Sequence, residues 1–278
     1  MSLSLRDELR VVLSRDQVQL IRIGRKLTLH GLTFSVLEKS EFPCGVVTGT
    51  AWENCIETLE SALSGMPWKP VCAKVILSNQ FIHYAMVEVG RDLTNGEEVA
   101  YARHHFNRLF GEKADSWEIK LNQDFTSAIQ LGSAVEAQFL NALRDLFARA
   151  DVRLSSVQPS LMKAFNNCVS QIHEQDVWFV LYDRGTLCLG MVQKGRWSSV
   201  RTMKVADDWL DKLPGVIERE AFLSELDVQA HDIYIWSPEN WRTNLPQSVL
   251  WKMHKLQPVI RPEFANEYEE RFAIAMCE

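Results

Sequence analysis

The sequence predicts an α/β fold made of two similar halves. Three patterns support this prediction. Apolar runs of strand length alternate with amphipathic helical segments, each half opens with a glycine-containing hairpin, and each hairpin is followed by a helix and a further strand. The chain has 278 residues, of which 46% are hydrophobic, so it can bury the core of one large domain or two medium ones.

The predicted strands of the first half are short apolar or alternating runs bounded by turn residues. They cover residues 17–23, 26–34, 71–77, 80–89, 117–121, 128–132 and 152–157. Gly24 and Arg25 are interpreted as the tight turn between the first two strands, because glycine readily adopts turn conformations. Residues 17–34 therefore predict a hairpin.

Amphipathic helices are predicted between these strands. They cover residues 50–65, 96–111 and 133–150. Thr50 with Glu53, and Ser133 with Glu136, form capping-box patterns at two helix starts. Pro159 occupies a first-turn position and opens a further helix.

The second half repeats this order. Its predicted strands cover residues 177–182, 186–193, 196–203 and 231–236, and its main helical segment covers residues 206–225. The stretch LYDRG, ending at Gly185, can be laid on LIRIG, which places Gly185 on Gly24 and Asp183 on Arg22. We interpret this overlay as a duplicated lobe. The predicted domains are residues 1–158, with an inserted subdomain at about 89–132, and residues 159–278.

Composition excludes several classes of function. The net charge of −6, without a block of basic residues, argues against nucleic-acid binding. The catalytic patterns GxSxG, GxxxxGK[ST] and HExxH are absent from the sequence, and so is a CxxC pair. No apolar stretch approaches membrane-spanning length and the N-terminus does not resemble a signal peptide, so we expect a soluble, cytoplasmic chain.

Two weaker candidates are Cys44 and the His104–His105 pair. Cys44 lies beside a glycine and could be a nucleophile, but no His or Asp close in sequence supports that role, which favours a buried or loop thiol. Adjacent helical residues point about 100° apart, so His104 and His105 do not readily share one metal ion. We expect no metal site.

A family resemblance emerges at AIQLGSAVEAQFLNALRDLFARADVRLSSVQPSLMKAFN followed by VWFVLYDRGTLCLGMVQKGRW. This order resembles the two-lobed, actin-like proteins of type IV pilus biogenesis and type II secretion, which include PilM, MshI and the cytoplasmic domain of GspL. The resemblance covers roughly residues 15–240 and depends on element order more than on invariant motifs. It implies an actin-like, ribonuclease H-like ATPase fold.

The resemblance also implies what an ATP site would need: two facing hairpins with Asp-x-Gly turns, and a Gly-Gly turn near the adenosine. The second hairpin retains Asp183, Gly185 and Thr186, whereas the overlay places Arg22 at the first hairpin's aspartate and Ser237–Pro238 stands where glycines are expected. Two interpretations of the Asp183 turn follow. It is an ordinary hairpin turn, or it retains residual nucleotide contact.

Four tryptophans lie in or near these segments. Trp178 and Trp197 fall in predicted hairpin strands and are expected in the core or on a sheet face. Trp236 and Trp241 flank the Ser-Pro segment, where they pack in the core, fill the place of a nucleotide base or face a partner.

The resemblance therefore implies a non-catalytic actin-like scaffold, degenerate at the nucleotide site and without a cofactor. Its partners would be pilus or secretion assembly proteins, which would recruit it to the cytoplasmic face of the inner membrane, and self-association is left open. An alternative is a nucleotide-responsive protein that binds ATP with magnesium through Asp183 and Thr186. A sugar-kinase-like phosphotransferase is a third class, but no general base can be nominated for it.

Overall fold

A computed structural model describes residues 3–29, 31–45, 50–66, 72–89, 95–122, 128–173, 176–223, 231–237 and 244–277. The chain folds into two compact units. The first unit comprises residues 1–82, 136–167 and 258–278, and the second comprises residues 83–135 and 168–257. Each unit is built around its own five-stranded mixed sheet.

The described elements follow one another as strands and helices in chain order. The strands are β1 (Leu3–Leu13), β2 (Gln17–Thr28), β3 (Gly31–Pro43), β4 (Cys72–Leu77), β5 (His83–Glu88), β6 (Trp117–Leu121), β7 (Ile129–Glu136), β8 (Arg153–Pro159), β9 (Asp176–Asp183), β10 (Thr186–Gln193), β11 (Arg196–Lys204), β12 (Asp232–Trp236) and β13 (Lys252–Lys255). The α-helices are α1 (Ala51–Ser64), α2 (Asn95–Phe110), α3 (Ala137–Arg149), α4 (Ser160–Cys168), α5 (Trp209–Leu223) and α6 (Ala273–Met276).

The sheet of the first unit has the order β3-β2-β1-β4-β8. β1, β2 and β3 are antiparallel neighbours, and β4 and β8 are added in parallel. β1 is central, and its residues Leu9, Val11 and Leu13 are fully buried. Its opposite face carries Glu8 and Arg10, which are also buried. A central strand with helices on the sheet faces is buried on both sides.

The start of the first unit differs from the sequence-based prediction. β2 runs without interruption through Gly24, so the predicted turn at Gly24–Arg25 is wrong. A Cβ on Gly24 would lie 2.9 Å from both Leu37 Cδ1 and Ser35 Oγ. Leu37 occupies this space next to the point where the β2–β3 register shifts, between Arg22 and Ile23. The glycine is needed for close side-chain approach within a strand, not for a turn.

The sheet of the second unit has the order β11-β10-β9-β12-β13, with the same antiparallel and parallel pairings. β9, β10, β11, β12 and β13 therefore correspond to β1, β2, β3, β4 and β8. The predicted repeat is confirmed at the level of sheet order, but the predicted overlay is wrong. The turn after β9 corresponds to the turn after β1, at residues 13–17, and not to Gly24.

A third, three-stranded sheet with the order β5-β7-β6 belongs to the second unit. It packs on α2 through Ala102 and Phe106, which are fully buried. The predicted helix over residues 133–150 begins later than expected, because β7 continues to Glu136 and α3 starts at Ala137. Ser133 is not a cap, since it lies in β7 and its hydroxyl donates to the carbonyl of Lys120.

The two compact units are grouped differently from the predicted domain boundaries at residues 89–132 and 158/159. Residues 83–135 join the second unit because β5 packs on β11. Residues 258–278 join the first unit because α6 packs on β1, where the Arg10 guanidinium donates to the carbonyls of Ala275 (2.8 Å) and Cys277 (3.0 Å). No helix in the described ranges has the length and apolar character needed to cross a membrane.

Candidate functional site

The predicted Asp-x-Gly turn lies between β9 and β10. Asp183 and Thr186 are paired across the hairpin, and the two residues between them both have positive φ, 46° at Arg184 and 72° at Gly185. Two consecutive positive φ values define a two-residue turn of type I′, whose twist matches that of antiparallel strands. The structure thus brings Asp183, Gly185 and Thr186 together at one strand end.

The second unit surrounds this turn closely. The Gly185 carbonyl accepts a hydrogen bond from the Val205 amide at 2.9 Å, which ties the turn to the end of β11. Thr186 is buried, whereas Asp183 is partly exposed. Burial raises the pKa of the Tyr84 hydroxyl well above its usual value, and the nearby Cys188 and Asp183 reinforce the shift. Asp183 is therefore close enough to the buried Tyr84 hydroxyl to influence it electrostatically.

The backbone geometry of this turn is not specific to a phosphate site. The connection between β10 and β11 has the same conformation, with φ of 51° at Lys194 and 76° at Gly195. Both turns have the form that a two-residue hairpin requires. Any binding specificity at the first of them must come from the Asp183 and Thr186 side chains rather than from its backbone.

The corresponding turn of the first unit contains residues that the sequence analysis did not identify. β1 ends and β2 begins around Ser14, Arg15, Asp16 and Gln17, which correspond in order to Asp183, Arg184, Gly185 and Thr186. Laying VVLSRDQVQL on VLYDRGTLCL would have revealed this match. The aspartate is replaced by serine and the glycine by aspartate.

The polar groups of the first-unit turn form hydrogen bonds within the turn and with Gln80. The Ser14 hydroxyl donates to Asp16 Oδ1 at 2.9 Å, and the Ser14 amide donates to the Gln17 carbonyl at 3.0 Å. The Arg15 amide donates to Gln80 Oε1 at 3.1 Å, and the Arg15 guanidinium donates to the Gln80 carbonyl. A phosphate-binding turn offers its backbone N–H groups to the ligand. Here the Ser14 and Arg15 amides are already engaged by protein acceptors.

Arg22, which the overlay placed at the position of the missing aspartate, lies inside β2. Its Nε is 2.6 Å from Asp7 Oδ2, so it forms an ion pair across the β1–β2 ladder. The prediction that Arg22 corresponds to Asp183 is wrong, because Ser14 occupies that position.

The Ser237–Pro238 segment, which stands where the resemblance places a Gly-Gly turn, follows β12. Ser237 is buried, while Pro238 and Trp241 lie outside the described residues. Trp236 is 2% exposed, and Trp178 and Trp197 are also buried, which confirms the core interpretation for these three side chains.

The remaining candidates do not form a reactive cluster. His104 and His105 lie on α2, and burial, together with Arg108 and His104, lowers the pKa of His105. Burial raises the pKa of Cys44, which is the opposite of what an activated nucleophile requires. Within the part of the chain that the structure describes, no three His, Cys, Asp or Glu side chains are placed to hold a metal ion.

Comparison with known proteins identifies the fold of this chain. No protein-family model and no curated protein match the sequence. Solved structures do match, and they establish that the chain has the actin-like fold.

Three of these structures span most of the chain. The cytoplasmic domain of EpsL, an inner-membrane component of the type II secretion system of Vibrio cholerae, has a TM-score of 0.56 and 10% identity, covering 90% of this chain and 89% of that one. The PilM–PilN type IV pilus biogenesis complex has a TM-score of 0.58 and 10% identity, and the match covers 83% of this chain and 81% of that one. A Bacteroides thetaiotaomicron protein with an actin-like ATPase fold and unknown function has a TM-score of 0.53 and 7% identity, and the match covers 84% of this chain and 81% of that one.

Proposed function

We propose that this chain is an actin-like assembly protein of a type IV pilus or type II secretion platform, and that it works by docking to other components without hydrolysing ATP. Its partners would be assembly proteins that hold it at the cytoplasmic face of the inner membrane. The fold likeness to the EpsL domain and to the PilM–PilN complex supports this proposal. The sequence resemblance to the same group of proteins supports it independently.

The closed turn of the first unit is the observation on which the non-catalytic proposal depends. An actin-like ATP site requires phosphate-facing amides and a carboxylate on this hairpin. Two amides of the turn bind protein acceptors, and the Asp16 carboxylate accepts the Ser14 hydroxyl. Magnesium favours carboxylate, water and phosphate oxygens, and the first-unit turn has Ser14 where the second unit has the Asp183 carboxylate, while Asp16 takes the position of Gly185. The turn does not fit a magnesium–ATP complex.

A nucleotide-responsive protein is the second candidate, because the turn of the second unit retains its side chains. Asp183 is partly exposed beside the positive-φ Gly185, and Thr186 follows directly. These residues would contact the phosphates and magnesium of ATP if the nucleotide bound. Binding of this kind would bias the conformation of the protein without requiring turnover.

Calorimetric titration with magnesium–ATP and a steady-state phosphate-release assay separate these candidates. We expect no saturable heat and no phosphate release from the parent protein or from Asp183→Ala. The matched control is Asp176→Ala, which removes a carboxylate from the other end of β9, where it accepts the Lys194 amide. Saturable binding that Asp183→Ala abolishes and Asp176→Ala preserves would establish the nucleotide-responsive protein instead.

Docking is tested with purified cytoplasmic segments of the pilus and secretion inner-membrane proteins of the source organism. We expect one of these segments to bind stoichiometrically with an affinity that ATP does not change. ATP hydrolysis that depends on Asp183, together with no binding to any segment, would refute the proposal.

A further inference from the structure

Two cysteine thiols lie against each other at the turn of the first unit. Cys44 follows β3 and Cys55 lies in α1, and their Sγ atoms are 3.5 Å apart. Both are free thiols. Cys55 is fully buried, whereas Cys44 is partly exposed and can be reached by a small molecule. A disulfide would need only a modest approach of the two sulfur atoms.

The same two residues hold the closed turn in place. Cys55 Sγ lies 2.9 Å from the Ser14 carbonyl oxygen, to which its thiol can donate, and the Cys44 amide donates to the Asp16 carbonyl at 2.8 Å. The thiol pair therefore connects three elements of the first unit: the end of β3, the first turns of α1 and the β1–β2 turn. A covalent bond between these thiols would join the end of β3 to α1 next to the Ser14 carbonyl.

We propose that Cys44 and Cys55 are a modification site, at which a small-molecule disulfide converts the two thiols into an intramolecular disulfide. The Cys44 thiolate attacks one sulfur of the reagent, forming a mixed disulfide and releasing one thiol. The Cys55 sulfur, after losing its proton, then attacks Cys44 Sγ and releases the second thiol. The two cysteines lose two electrons and two protons in total, and the reagent gains both as two thiols. This proposal is independent of the proposed function.

The surroundings of the pair determine how fast this exchange proceeds. Burial raises the pKa of both thiols. Asp16 raises it further at each cysteine, while Arg15 lowers it at Cys55 and a hydrogen bond from Thr58 lowers it at Cys44. Only the thiolate attacks, so exchange is slow at neutral pH and accelerates about tenfold per pH unit until the Cys44 thiol titrates.

Oxidation would have two effects, one on the turn and one on the unfolded chain. The disulfide removes the Cys55 Sγ–H group, so the Ser14 carbonyl loses that donor. It also closes a short covalent loop between residues 44 and 55, which restricts the unfolded chain. A loop of this length predicts a rise in the melting temperature of about 5 °C.

Intact-mass spectrometry of the full chain tests the proposal. The protein is incubated with oxidised glutathione at pH 8.5, and its intact mass is measured; a second portion is then alkylated and digested to map the cross-link. We expect the intact mass to fall by two hydrogens, which corresponds to one intramolecular disulfide. In the digest, we expect a single cross-linked peptide that joins Cys44 to Cys55. In Cys55→Ser, the exchange should stop at a glutathione adduct on Cys44, since the resolving thiol is missing. In Cys44→Ser, neither product should form.

The matched control is Cys72→Ser, which removes a buried cysteine of β4 and should leave the Cys44–Cys55 bond unaffected. Circular dichroism checks that each variant is folded. If the native parent stays fully reduced while the same chain in denaturant oxidises, or if the cross-link joins other cysteines, the proposal is overturned. An oxidised parent with an unchanged melting temperature would refute the predicted stabilisation by the covalent loop.

Discussion

Replacement of Arg10 by methionine tests a polar group that makes three hydrogen bonds in the core of the first unit. Arg10 Nε is 3.1 Å from Glu8 Oε1, and its Nη1 donates to the carbonyls of Ala275 and Cys277. Glu8 is 3% exposed and Arg10 is 8% exposed. Methionine matches the length of the aliphatic part of arginine but donates no hydrogen bond, so Arg10→Met leaves Glu8 and two carbonyls without these donors.

The expected loss of stability follows from this geometry. A hydrogen bond from a charged donor contributes about 1.5–3 kcal/mol, and removal of one partner of a buried ion pair costs about 3–5 kcal/mol. Lys74 Nζ remains 3.1 Å from Glu8 Oε2 and retains part of the attraction. We therefore expect the free energy of unfolding to fall by about 3 kcal/mol, a large fraction of the stability of a typical domain.

Equilibrium urea unfolding followed by tryptophan fluorescence measures this loss. The matched control is Arg149→Met, which breaks an ion pair with Glu60 at 2.9 Å in which the two side chains are 60% and 52% exposed. Such a surface pair contributes less than about 1 kcal/mol. If Arg10→Met costs no more than Arg149→Met, the assignment of Arg10 as the link between β1 and the C-terminal segment is wrong.

The pH dependence provides a second readout for the same variant. Burial tends to raise the pKa of Glu8, but the charges and hydrogen bonds of Arg10 and Lys74 outweigh burial and lower it below 4.5. The unfolded chain therefore binds this proton first on acidification. The contribution of Glu8 is present above about pH 4.5 and is lost as the pH falls through the folded-state pKa. Arg10→Met should reduce this acid-dependent loss, and an unchanged acid profile would argue against the pairing.

Two further predictions concern the second unit. The ring of Trp197 fills the space that a Cβ on Gly190 would occupy, so Gly190→Ala should lower the free energy of unfolding by about 1–3 kcal/mol. Gly215 in α5 has open space around it, so Gly215→Ala should raise the free energy of unfolding by about 0.5–1 kcal/mol. Equal urea midpoints for the two variants would contradict this prediction. Burial lowers the pKa of His105, so its contribution to stability should diminish as the pH falls below 6.5, and melting temperatures between pH 5 and 8 should show a shallower acid decline in His105→Gln than in the parent.

Sequence patterns were sufficient for most of the second unit. β9 and β10 are largely apolar runs, and Arg184–Gly185 and Lys194–Gly195 separate β9, β10 and the more polar β11. Residues with these turn preferences define the strand ends without tertiary information. The fold class followed from the repetition of this pattern. The candidate turn at Asp183, Gly185 and Thr186 was predicted for the same reason.

The first unit was harder to predict because tertiary contacts determine its strand boundaries. β1 was missed because Glu8 and Arg10 interrupt its apolar pattern, and their burial is possible only through Lys74 and carbonyls near residue 276. Gly24 was interpreted as a turn because local sequence does not reveal that Leu37 packs over it. Because β1 was missed, the turn at Ser14 was not recognised as the counterpart of the turn at Asp183.

The link between Arg10 and the C-terminal segment has a consequence for biosynthesis. Arg10 in the central strand binds a carbonyl 265 residues further along the chain. Residues 83–135 and 168–257, which make up the second unit, all leave the ribosome before residues 258–277 do. The buried Glu8–Arg10 pair therefore lacks its last acceptors until residues 258–277 have emerged. Completion of the first unit is consequently a late step that depends on contacts between distant parts of the chain.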